Sequence, residues 1–82
     1  MAKAIQMFAG KSSYGVPEEY AQREDGVWFC RHLAFNGYAM AMTKWLRCNL
    51  FLDELIKEDI MEYGWNPLYR VEPGRIRLPN PI

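Results

Sequence analysis

Side chains that bind soft metals or act as strong nucleophiles are scarce in this 82-residue chain, which has two cysteines and a single histidine. Two thiols cannot make the disulfide framework on which small secreted domains rely, so Cys30 and Cys48 read as reduced thiols and the chain as cytoplasmic. Cys30, His32 and Cys48 also lack the paired short spacing of a zinc site, and neither a metal nor a cofactor is expected. Long apolar runs are missing as well. Nothing approaches the roughly 20 residues a membrane-spanning helix requires, and the apolar run near the start is broken by Gln6 before it reaches the length of a signal-peptide core. Neither sign of charge is in excess, with ten Lys and Arg against ten Asp and Glu. No long-range field therefore draws the chain toward nucleic acid or an anionic membrane. Internal repeats and low-complexity segments are absent too.

What is there is apolar. Half of the residues are hydrophobic and 15% are aromatic, enough surface to offset the entropy of ordering and too little chain for a second core. One domain over 1–82 is the expectation. Residues 3–9 read as a short strand, and 10–26 as a flexible, turn-rich loop that holds Gly10, Ser12, Ser13, Gly15, Pro17 and Asp25-Gly26. The Asn36-Gly37 pair predicts a hairpin over 27–46, because these residues best tolerate the positive φ of a two-residue turn. That register sets Phe35 against Tyr38, Leu33 against Met40, Arg31 against Met42, Cys30 against Thr43 and Trp28 against Trp45. A helix over about 50–63 follows, with Asn49 as its N-cap and Gly64 placed to end it. Short extended segments flank Pro73-Gly74, and 79–82 form an extended tail. The whole reads as an α+β fold, a small antiparallel sheet built on the hairpin with one amphipathic helix packed on one face.

Two polar constellations stand out against this background. Alternation puts Arg31 at the centre of the bulky face made by Val27, Phe29, Leu33 and Phe35. The apolar arc of the expected helix carries a carboxylate, Asp59, in its middle. A charge there needs a partner, so the sequence predicts an Arg31–Asp59 ion pair beneath the helix. The opposite hairpin face gathers Trp28, Cys30, His32, Thr43 and Trp45 around small residues. Second core layer, dimer interface and small apolar ligand pocket are its three readings, in that order.

The function these patterns favour is a binding or interaction module. Its contact surface would be Trp28, Cys30, His32, Thr43 and Trp45, and its partner a second copy or another protein. A small enzyme is the alternative, with Cys30 and His32 as a thiol and base on one strand face, or with Asp59. Nothing in the sequence supplies a group to orient the imidazole. Nucleic-acid binding through Arg70, Arg75 and Arg77 ranks third, since the acidic helix beside them cancels their field.

Overall fold

Ser12 closes the first turn of the chain. In the computed structural model, which describes residues 2–48, 52–64 and 66–81, its hydroxyl accepts from the backbone N–H groups of Tyr14 and Val16, at 3.3 and 3.1 Å. This folds β2 (Pro17–Arg23) back on β1 (Ala2–Lys11). The segment expected as a loop over 10–26 is thus mostly strand, and the turn chemistry is confined to 12–16 and to Asp25-Gly26. There Gly26, at φ 93°, turns the chain into β3 (Trp28–Phe35).

The remaining strands are β4 (Met40–Met42), β5 (Leu46–Arg47), β6 (Glu62–Tyr63), β7 (Asn66–Val71) and β8 (Arg77–Leu78). The sheet runs β4-β3-β2-β1-β7-β6, with β5 also on β3 and β8 on the start of β1. Every pair is antiparallel. Among the described residues strand accounts for 53% and helix for 8%, so the expected α+β class gives way there to an antiparallel β-sheet with one short helix, α1 (Leu52–Lys57).

The helix falls short of 50–63 because its end is set by Asp59, not Gly64. Asp59 takes φ 58°, its N–H donates to the Ile56 carbonyl, and the Ile60 N–H donates to the Leu55 carbonyl, at 3.1 and 2.8 Å. These are the two bonds of a left-handed helix stop, with Ile60 folding back toward Leu55. Asp is among the few residues with a side chain that enter this region at modest cost. The chain then leaves as β6, and Leu68 donates its N–H to the Met61 carbonyl. The Asn49 cap lies outside the described residues.

The central strands are apolar on both faces, and two clusters result. On one face Phe8, Tyr20, Trp28 and Leu68 are buried beneath Leu52 of α1, with Cys30, Cys48, Leu55, Ile56 and Met61 around them. On the other, Ala4, Met7, Ala21, Phe29 and Leu78 are buried with Val27, Trp45, Val71 and Ile76 against them. A register shift between Ala4 and Gln6 lets β1 serve the second cluster with Ala4 as well as Met7. The tail is tied in at its start. Arg23 makes a two-point pair with Asp25 at 2.7 and 2.8 Å, donates to the Pro79 carbonyl at 2.7 Å, and lies over the Phe29 ring.

The helix stop yields the first prediction. Asp59→Gly, which removes a side chain from a left-handed position, is expected to leave stability unchanged or raise it by up to about 1 kcal/mol, whereas Asp59→Val should lower it by about 1–2 kcal/mol. Urea denaturation followed by Trp fluorescence reads both. A carboxylate engaged in a buried ion pair would make the Gly variant markedly less stable.

Candidate functional site

The hairpin that carries the candidate residues departs from the expected register. Asn36 caps its own turn, its side-chain oxygen accepting from the N–H groups of Tyr38 and Ala39 at 3.0 and 3.1 Å. The Asn36 N–H donates to the Ala39 carbonyl, which makes a four-residue loop in which Gly37 alone has positive φ. Leu33 therefore pairs with Met42 and Phe35 with Met40, two residues along from the two-residue-turn register. Past Met42 the ladder breaks. Thr43 bonds His32 with both its N–H and its hydroxyl, and pairing resumes with Cys30 against Leu46 and Phe29 against Arg47.

That break separates the residues expected to form one contact face. Trp28 is buried under the helix, its indole N–H donating to Asp53 Oδ1 at 3.1 Å and its ring 5.9 Å from Phe8. Trp45 goes to the opposite face, where the Arg31 guanidinium lies 4.3 Å from its ring. Cys30 is half-buried at the rim of the helix-side cluster, His32 is exposed, and Thr43 is held by the backbone of His32. No bond joins Cys30 to His32, whose cross-strand neighbours on β2 are Tyr20 and Glu18. The expected Arg31–Asp59 pair does not form either. Arg31 pairs with Glu19 directly across on β2, at 2.9 Å with both side chains about three-quarters covered, while Asp59 is exposed at the helix stop. Because the helix covers the Trp28 face rather than the Arg31 face, Glu19 on β2 neutralises the arginine and the helix carboxylate Asp53 satisfies the indole. Among the C-terminal arginines, Arg70 lies over Phe8 and donates to Gln6, Arg77 bonds the Ile76 carbonyl, and Arg75 is exposed. Among the described residues no group of three or more His, Cys, Asp or Glu is arranged to hold a metal.

What the strand pairing does gather is a different surface. Antiparallel partners share a face, so the rows Ala9–Glu19–Arg31 and Tyr69–Ala9 continue upward from the buried second cluster. The lower half of that face is covered by Trp45, Ile76 and Leu78. The upper half is open. It holds Leu33, Phe35, Met40 and Met42 at the hairpin end and Ala9, Lys11, Pro67 and Tyr69 at the other, with the Glu19–Arg31 pair between. Phe35 is 67%, Met40 56% and Tyr69 63% exposed. Beside it β4 is the outermost strand, with β3 its sole neighbour in the sheet among the described residues. Alternation assigned Leu33, Phe35, Met40 and Met42 to one face from the sequence. Its exposure was hidden, because that face was expected under the helix. The contribution of Lys11, Pro67 and Tyr69 depends on β1 meeting β7, whose paired residues are 58 or more apart in sequence, and no local signal announces it.

Comparison with known proteins finds no matching family model, no similar curated protein and no similar solved structure. The site's chemistry therefore rests on its own geometry.

One titrating group is strongly perturbed, and it lies on the helix side. Burial, then the 2.7 Å bond its hydroxyl donates to Glu18, then that carboxylate's charge, push the Tyr20 hydroxyl far above its ordinary range. A group whose pKa is higher in the folded than in the unfolded chain stabilises the fold below the unfolded value and ceases to do so as pH rises past it. Stability should accordingly be insensitive to this group up to about pH 10 and fall above it, with Tyr20→Phe flattening the alkaline fall. Urea midpoints from pH 8 to pH 11 measure this, and equal slopes in both proteins would refute it.

Proposed function

We propose that this protein is a small self-associating binding module that joins a second copy of itself through the hairpin end of the open face and the free edge of β4. The observation that carries this reading is the contiguous apolar set Leu33, Phe35, Met40 and Met42 lying exposed or half-exposed beside an unpaired strand edge. Exposed apolar patches of this kind are characteristic of contact surfaces. A strand edge presents unpaired N–H and C=O groups to which another chain can pair, and the three residues Met40-Ala41-Met42 carry neither Pro nor charge to oppose this.

A second copy is the occupant the charges favour. Net charge is zero, so two chains approach without repulsion. Antiparallel pairing of β4 with itself about a two-fold axis beside Ala41 would set Met40 against Met42 of the second copy on the same sheet face. The residues at that edge are thus self-complementary, as a two-fold interface requires. Such pairing would also remove the edge from solvent.

Light scattering across a concentration series tests this. The native chain is expected to reach twice the single-chain mass, and Phe35→Glu and Met40→Glu to remain monomeric with unchanged circular dichroism, because both side chains already face water. A native chain that is monomeric throughout, or a dimer that survives both substitutions, would overturn the proposal.

A further inference from the structure

At the far end of the same face, between the end of β1 and the start of β7, lies an open cleft of about 520 Å³ lined by Ala9, Gly10, Lys11, Asn66, Pro67 and Tyr69. The size falls within the range of small-molecule sites. Its shape depends on close backbone approach. A Cβ at Gly10 would come within 2.9 Å of both Leu68 Cδ2 and the Pro67 carbonyl oxygen, so glycine is what allows β7 to close on β1 here.

Two of the lining side chains, Lys11 and Tyr69, carry chemistry that nothing inside the fold uses. The Lys11 ammonium enters none of the ion pairs among the described residues, which are Arg23–Asp25, Arg31–Glu19 and Lys57–Glu54. Among the described residues the Tyr69 hydroxyl likewise has no hydrogen-bond partner, and the Tyr69 ring, unlike Phe8, Trp28, Tyr20 and Tyr63, meets no other aromatic ring. Ala9 and Pro67 supply apolar walls. One fixed positive charge and one open ring, set in a mainly apolar cleft, make a combination with a definite complement.

We propose that this cleft binds a small molecule bearing a planar aromatic ring and a single carboxylate. The ring stacks on Tyr69 against Pro67 and Ala9, and the carboxylate pairs with Lys11. A monoanion fits better than a phosphate ester, because one lysine without an arginine fork or a glycine-rich backbone nest leaves a second negative charge uncompensated.

The test uses 3-phenylpropanoate as probe and 3-phenylpropanamide as its uncharged counterpart, followed by the backbone amide resonances of the full chain. The acid, at up to about 10 mM, should shift the amides of Ala9, Gly10, Lys11 and Tyr69, and the amide should bind about tenfold more weakly. Lys11→Gln should abolish the preference for the acid, and Tyr69→Ala should weaken both ligands about tenfold. Both residues are exposed, so the variants keep the native amide pattern elsewhere. Absence of shifts at that concentration, equal binding of acid and amide, or shifts centred on the hairpin end instead, would each overturn the proposal.

Discussion

The structure depends on one constraint, that β3 is apolar on both sides. Trp28 and Cys30 point one way, Phe29 and Leu33 the other. A strand of this kind cannot lie on a surface with one wet face, so an 82-residue chain has to cover both sides of its central strands. It does so with short pieces. The single turn and a half of α1 is tacked over Trp28 by the bond from the indole to Asp53, and Gln22 reaches the same carboxylate at 3.4 Å. From Asp53 this polar chain continues through Gln22 and Gln6 to Arg70, so the buried amide of Gln22 is satisfied on both its ends. The opposite face is covered by Trp45, Ile76 and Leu78, which come from two separate segments.

These covers are too small to reach the far end of the second face. A chain this short buries a smaller fraction of its apolar surface than a larger domain, and part of the shortfall falls on the upper half of this face, where Phe35, Met40 and Tyr69 are exposed. The Glu19–Arg31 pair marks the border. Below it lie Phe29 and Ala21, both buried; above it lie Leu33 and Phe35, half-exposed and exposed. Arg31 suits this border position because its planar guanidinium pairs with the carboxylate edge-on and still stacks over Trp45, which a lysine ammonium would do less well. The functional proposals both take their residues from beyond that border.

Much of this is legible in the sequence. Alternation along Val27 to Phe35 correctly split the strand into two faces, both needing cover. Asp25-Gly26 and the Ser12 region marked real turns. Three features escaped local patterns. The Asn36 side chain caps a four-residue loop in place of a two-residue turn, and sequence alone does not choose between a backbone and a side-chain acceptor there. The break at Thr43 shifts the ladder, so Trp45 lands on the opposite face from Trp28, and one residue of slip is enough to move a side chain through the sheet. Finally, the period of 51–63 suited a helix throughout, yet Asp59 stops it and the following residues find better hydrogen bonding as a strand against β7. The residues Trp28, Cys30, His32, Thr43 and Trp45, expected to share one face, are separated for the second of these reasons. The pairing expected for Arg31 fails because the helix covers the other face.

The break between β4 and β5 is therefore the feature on which the account turns, and the side-chain contacts of Trp45 report on it most directly. Nuclear Overhauser effects from the Trp45 ring protons should run to the side chain of Arg31, with none to Trp28 or Cys30. Contacts between the two tryptophan rings would instead establish the unbroken hairpin, return Trp45 to the helix side, and remove the open half-face as the protein's binding surface.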